Sequence, residues 1–263
     1  MEKAGKAKMR SEDFTILENR KVNDSYYVLK LKSEIGLQKC NPGQFVQVLI
    51  EHSPKTFLRR PISIYEVDYS ENTMSLLIQI VGDGTKTLSE RKKGEVVNLL
   101  YPLGFGFSLT INSRVLLIGG GVGVAPLLQL AKELSAKNNQ VDFILGGRSE
   151  YNIIEHENFK KYGNVFVTTE DQSMGEKGFV TQHSVFQNAN KREYSMIYSC
   201  GPEPMMKAVA RLAKEKDIPC EVSLENHMAC GIGSCLCCVE NTVKGHICVC
   251  TEGPVFNIEM LQW

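Results

Sequence analysis

The 263-residue chain has no excess of charge: 30 lysines and arginines balance 30 aspartates and glutamates. That balance gives no reason to expect nucleic acid or an anionic membrane surface as partner. No apolar run approaches the roughly 20 residues that a spanning helix needs, and the N-terminal MEKAGKAKMR has no apolar segment of signal-peptide type. The expectation is a soluble, cytoplasmic protein, with Lys3, Lys6, Lys8 and Arg10 forming a solvated end rather than a binding arm. Internal repeats and low-complexity tracts are missing as well. The histidines at 52, 156, 183, 227 and 246 show no ligand spacing. Cysteine is the residue that is not scarce. There are nine, an odd number that fits poorly with a fully paired disulfide framework. In a reducing compartment such a count points to metal or redox chemistry.

Hydrophobic patterning divides the chain into a β-barrel part, an α/β part and a small C-terminal module, at about 1–110, 111–220 and 221–263. In the first, YYVLKLK and FVQVLIE alternate apolar and polar residues, and ISIYEV, TMSLLIQI and EVVNLL are rich in β-branched or apolar ones. Turn signals at Asn41-Pro42-Gly43 and Gly82-Asp83-Gly84 separate them, which favours an antiparallel barrel or sandwich. A short helix is expected near TKTLSERKK. From RVLLIGGGVGVAP onward, strands alternate with helices: a helix from about Ala125, VDFILGG, a helix around 152–161, NVFVTT, MIYSCG, and the helix EPMMKAVARLAKEKD. Met205, Met206, Val209 and Leu212 share one face of that helix and are read as core. Such alternation indicates a parallel sheet covered by helices. From about residue 221 the pattern dissolves.

Two stretches suit phosphate. In IGGGVGVAP a strand hands over to a helix, where glycines admit close approach and helical N–H groups are free, although the spacing departs from G-x-G-x-x-G. A tight strand–helix turn is the plainer alternative. In LRRPISI an arginine pair precedes a strand, and Ser63 follows Arg60 by three; an arginine fork matches phosphate oxygens. Gly84 and Thr85 offer a second small anion site.

The C-terminal module holds HMACGIGSCLCCVE, with four cysteines in nine positions. Cys230, Cys235 and Cys238 stand in C-x4-C-x2-C spacing, that of plant-type [2Fe–2S] ferredoxins. A fourth ligand is offered by Cys248 or Cys250, which geometry alone does not separate. Four thiolates could instead close around zinc. Cys237 breaks the spacing, and Cys40 and Cys220 have no motif around them.

Taken in order, R-P-I-S-I, G-x-G-T-x-x-L, P-L-G-x-G-F, G-G-G-x-G-x-A-P and C-G-P resemble the ferredoxin-reductase superfamily across nearly the whole chain. The resemblance implies an antiparallel flavin-binding barrel and a nicotinamide-binding α/β domain. It implies that Arg60, Pro61, Ile62 and Ser63 hold FAD, with Leu77, Ile78, Gln79, Gly84 and Thr85 completing its site. Gly119, Gly120, Gly121 and Gly123 would receive NAD, and Cys200 of C-G-P would lie near the nicotinamide, where hydride crosses. The run M-A-C-G-I-G-x-C-x-x-C, with a cysteine shortly before G-P-V-F, further resembles the electron-transfer subunits of type B dihydroorotate dehydrogenases. There the last cluster ligand stands three residues before Gly-Pro, which implies Cys230, Cys235, Cys238 and Cys250 around a [2Fe–2S] cluster. By that resemblance the partner is an FMN-containing catalytic subunit that oxidises dihydroorotate in pyrimidine biosynthesis, in a heterotetramer of two of each. Electrons would run from FMN through cluster and FAD to NAD+. The same relay serving a ferredoxin, hydrogenase or sulfur-reducing partner is the alternative, and a zinc-bearing binding module the distant one.

Overall fold

A computed structural model describes residues 9–188 and 193–263. The elements run in order as strands β1 (Arg10–Lys21), β2 (Tyr26–Ser33), β3 (Phe45–Val48), β4 (Arg60–Asp68) and β5 (Thr73–Gln79), helix α1 (Asp83–Ser89) and strand β6 (Val96–Leu103). Then come β7 (Arg114–Gly120), α2 (Ala125–Ala136), β8 (Gln140–Gly147), α3 (His156–Phe159), β9 (Gly163–Thr169), β10 (Glu176–Lys177), α4 (Val185–Asn188), β11 (Met196–Cys200) and α5 (Glu203–Glu215). The last are β12 (Cys220–Ser223), β13 (Val239–Thr242), β14 (Gly245–Cys248), α6 (Val249–Glu252) and β15 (Val255–Asn257). These pack as two compact units. One contains the chain up to Gly106 with Asn226–Glu240 and His246–Pro254; the other contains Phe107–Glu225, Asn241–Gly245 and Val255–Trp263.

In the first unit, six antiparallel strands close a barrel in the order β1-β2-β5-β4-β3-β6. Its interior follows the period of two that strands impose: Phe14 and Ile16 on β1, Leu29 and Leu31 on β2, Val46 and Val48 on β3, Met74, Leu76 and Ile78 on β5. Alternation and β-branched or apolar composition in the sequence pick out five of these strands. β1 escapes it because Glu12 takes an inward position, where its carboxylate accepts from Ser33 and from the Tyr101 hydroxyl, the latter at 2.8 Å.

In the second unit the sheet order is β10-β9-β8-β7-β11-β12-β15, parallel throughout except for the antiparallel β12–β15 edge. Val115, Leu116, Leu117 and Ile118 of β7 are all fully buried, as a central strand covered on both faces requires. From β7 the chain proceeds one way through β8 and β9, then returns to place β11 on the other side. The reversal therefore lies between the C-terminal ends of β7 and β11. Two local expectations need correction. The helix around 152–161 is one turn, α3, because Glu155 before it takes φ 58° and breaks the run. Beyond residue 221 the pattern does not dissolve at once: β12 and β15 join the sheet, each too short to show a period. On α5, Met206 and Val209 are core, whereas Met205 and Leu212 are only half-buried.

Candidate functional site

The cysteine-dense loop belongs to the barrel unit. Gly231 and Gly233 have φ +72° and +85°, a left-handed backbone that glycine adopts without cost. That winding turns successive N–H groups onto sulfur. Ile232 donates to Cys230 Sγ at 3.4 Å, Gly233 to Cys250 at 3.2 Å, Cys237 to Cys235 at 3.5 Å, and Cys250 to Cys238 at 3.4 Å. The thiols also interact with one another: Cys230 with Cys235, Cys238 with Cys250, and more weakly Cys250 with Cys230. Cys248 also reaches Cys238, but it is less buried than Cys250. Among the described residues, no group of three or more His, Cys, Asp or Glu is gathered as for a single metal ion. A two-iron centre needs another arrangement, two protein ligands on each iron, which Cys230 with Cys235 and Cys238 with Cys250 could supply. The donor set, soft thiolates ringed by N–H groups, fits an iron–sulfur cluster.

Electrostatics differs between the pairs. Burial pushes the Cys230 thiol up, but the N–H groups of Ile232, Cys235 and Ser234 and the Cys235 thiol outweigh it, bringing Cys230 to about 6. Burial and then the Cys238 thiol push Cys250 up to about 12. Ile232 and Leu236 on the same loop are exposed, with Leu236 at 64 %. These are apolar side chains beside the thiols.

On the barrel, β4 begins with the arginine motif. Arg59 is tied to β3 and β6, donating to the Gln47 carbonyl at 3.1 Å and to Asn98 Oδ1 at 2.6 Å. Arg60 lies instead towards the glycine turn: a Cβ on Gly84 would stand 3.3 Å from Arg60 Nε and 3.0 Å from Thr56 Cγ2. The two sequence motifs thus converge, and Thr56 joins them without any sequence signal. Thr85 Oγ1 accepts from the N–H of Val81 at 2.9 Å and fixes the start of α1. Across the ladder, Phe45 faces Ser63 and Gln47 faces Pro61. Since Val46 and Val48 point inward, Pro61 and Ser63 lie on the outer barrel wall, and Ile62 packs towards the core. On β5, Ile78 is core, Leu77 is buried on the outer face and Gln79 is partly exposed.

In the α/β unit the glycine loop follows β7. A single 3-10 turn, Gly121–Val124, precedes α2, and Gly121 has φ +55°. A Cβ on Gly123 would meet Gly201 Cα at 2.5 Å and the Cys200 carbonyl oxygen at 2.6 Å, and one on Gly120 would meet Met205 Sδ at 2.6 Å. A Cβ on Gly119 would run into Val124 at 2.7 Å. The glycine loop and C-G-P are therefore brought together at the reversal between β7 and β11, where open α/β sheets bind ligands. Cys200 is buried, with Sγ 3.9 Å from Glu225 Oε1. Burial, and then the Glu225 carboxylate, hold its thiol well above the ordinary range. It stays protonated and is no nucleophile at neutral pH.

Comparison with known proteins matches residues 117–211 to an oxidoreductase NAD-binding domain and residues 225–262 to the iron–sulfur cluster binding domain of dihydroorotate dehydrogenase B. The chain is 41% identical over 254 residues to the electron transfer subunit of dihydroorotate dehydrogenase B (NAD(+)) of Fusobacterium nucleatum, covering 94% of this chain and 97% of that one. It is 40% identical to the subunit of the same description from Caldanaerobacter subterraneus, covering 93% and 95%. Among solved structures it resembles that of an NADH-dependent reduced ferredoxin-NADP oxidoreductase studied for flavin-based electron bifurcation, with TM-score 0.85, 28% identity and coverage of 95% and 90%. It shares its fold with the ferredoxin reductase of carbazole 1,9a-dioxygenase, with TM-score 0.68, 23% identity and coverage of 80% and 67%.

Proposed function

Because the chain belongs to the electron-transfer subunits of NAD(+)-type dihydroorotate dehydrogenase B, components that carry electrons between NAD+ and a catalytic partner subunit, we propose the following assignment of its residues. Residues 1–110 hold FAD through Arg60, Pro61, Ile62, Ser63, Leu77, Ile78, Gln79, Gly84 and Thr85. Residues 111–220 receive NAD on Gly119, Gly120, Gly121 and Gly123, with Cys200 beside the nicotinamide. Residues 221–263 hold the [2Fe–2S] cluster on Cys230, Cys235, Cys238 and Cys250. The partner carries FMN, and the assembly is a heterotetramer of two of each, working in pyrimidine biosynthesis. A cytoplasmic location follows the same reading and is supported by nine cysteines, none of them in a disulfide.

When bound, nicotinamide supplies two-electron hydride chemistry, iron–sulfur one-electron chemistry, and flavin the exchange between them. The chain's own residues bind and orient. The Arg60 guanidinium, a planar fork of N–H donors, suits the pyrophosphate. The glycines at 119, 120 and 123 let the loop pack closely on Val124, Met205 and Gly201, which shapes the backbone offered to a dinucleotide. Cys200, kept protonated by burial, offers the nicotinamide a neutral, compact neighbour. N–H groups aimed at the thiolates favour their ionised form.

The observation that carries the reading is that each of the sulfurs of Cys230, Cys235, Cys238 and Cys250 accepts a backbone N–H of the same two segments, at 3.2–3.5 Å. Anaerobic co-purification with the catalytic subunit tests it. The pair is expected to reduce NAD+ with dihydroorotate, and Cys235→Ala to abolish that reduction together with the iron absorption. Full activity with Cys235→Ala would refute the ligand assignment. The likeness to a ferredoxin-handling oxidoreductase favours a second reading, the same relay with ferredoxin as customer. NAD+ reduction by reduced ferredoxin but not by dihydroorotate would decide for it.

A further inference from the structure

Gln47 lies in the middle of β3 and is fully buried, yet neither Nε2 nor Oε1 of its carboxamide has a hydrogen-bond partner. Three residues earlier the fold treats Gln44 differently. That side chain is equally enclosed, but Nε2 donates to the Gly104 carbonyl at 2.7 Å and Oε1 accepts from the Asn41 N–H at 2.7 Å. A buried carboxamide left without partners is costly, because it has lost water and gained nothing in return. An inward valine on each side fixes Gln47 on the outer wall of the barrel, where the cysteine loop covers it. A Cβ on Gly231 would stand 2.8 Å from both Cγ and Nε2 of Gln47. Gly231 directly follows Cys230, and its φ of +72° together with this contact leaves room there for glycine alone. The carboxamide thus lies against the residue that directly follows the first cysteine of the loop.

We propose that Gln47 is a positioning residue for the iron–sulfur centre: its side-chain N–H donates to sulfur at the Cys230 end, so that the barrel wall supplies a donor the loop cannot. This rests on the ligand assignment above. It explains why a polar side chain persists where a hydrophobic one would be cheaper in the protein alone. Reduction adds negative charge to the cluster, and each N–H aimed at sulfur stabilises that charge, which is one of the levers on cluster potential. Loss of the donor should therefore make the cluster harder to reduce. Gln47 also faces Pro61 across the β3–β4 ladder, so the flavin is the competing recipient, and the test separates the two.

The experiment is an anaerobic redox titration of the assembled two-subunit complex, following the cluster by electron paramagnetic resonance and the flavin by absorbance. The variants are Gln47→Met, which keeps length and loses the amide, and Gln47→Glu, which replaces the donor by an acceptor. Gln47→Met is expected to shift the one-electron equilibrium of the cluster about tenfold towards the oxidised form, about 59 mV, with altered g-values and an unmoved flavin. Gln47→Glu should shift it further the same way. The apoprotein of Gln47→Met should melt no lower than wild type, since an unpaired buried amide is gone. A cluster potential unchanged in both variants, at normal iron content, overturns the proposal; so does a shift confined to the flavin. Wild-type protein without sulfide-bridged iron would refute the ligand assignment itself, a result distinct from either.

Discussion

Cys248 and Cys250 stand two residues apart, and their surroundings distinguish them. Cys250 is buried, accepts from Gly233 and pairs with Cys238, whereas Cys248 meets Cys238 from a more exposed position. Iron and sulfide analysis of the two serine variants is expected to find most of the iron gone from Cys250→Ser and near-normal iron in Cys248→Ser. Gly123 gives a second test. Its missing side chain is replaced by backbone of Gly201 and Cys200, which cannot step aside cheaply. Gly123→Ala should cost about 1–3 kcal/mol of stability, as overpacking does, and raise the KM for NAD about tenfold or more, readable by melting and steady-state kinetics. His183 sets a pH dependence. Burial lowers its pKa below 6.5, partly opposed by the Glu176 carboxylate, so the fold favours the neutral ring. The unfolded chain takes up that proton first, and stability falls as pH drops below 6.5. Glu176, lowered by its bonds to Ser184, adds a loss of the same sign below 4.5. Melting temperature should decline from pH 7 to pH 5, less steeply in His183→Gln.

At the scale of elements, legibility depended on length and on which side of a strand is covered. Long apolar runs such as VLLI and strongly two-faced helices such as α5 announce themselves. β12 and β15, four and three residues long, cannot. The motifs were readable because they are local: R-P-I-S and the cysteine spacing need only neighbours in sequence. Gln47 was not. In FVQV it alternates like any solvent-facing strand residue, and the loop that buries it comes from far along the chain. Thr56 has the same history, an ordinary loop threonine until β4 and α1 fold beside it. Convergence of the glycine loop with C-G-P likewise depends on β11 returning beside β7, which no local pattern records.

At the scale of the whole molecule, the segment after Glu225 serves both units in turn. After Glu225 the chain contributes to the barrel unit, then to the α/β unit, and does so again after Gly245. Val255, Phe256, Ile258 and Leu261 are all buried in the α/β unit. At about 1.5–3 kcal/mol for each large apolar side chain, their removal rivals the net stability of a domain, roughly 5–15 kcal/mol. A chain ending at Pro254 is therefore expected to be cut rapidly by protease at temperatures where the full chain resists. Equal resistance would show that β15 is dispensable.

The order of synthesis adds a consequence. Domains ordinarily fold as they leave the ribosome, N-terminal first. Here the strands of the barrel all precede residue 104, whereas the α/β sheet takes its edge strand β15 from Val255–Asn257, beyond the cysteine loop. The cysteines therefore reach the barrel only after the α/β strands β7–β12 have been made, and a chain stopped before Asn226 would hold neither the β15 edge nor the cysteine loop.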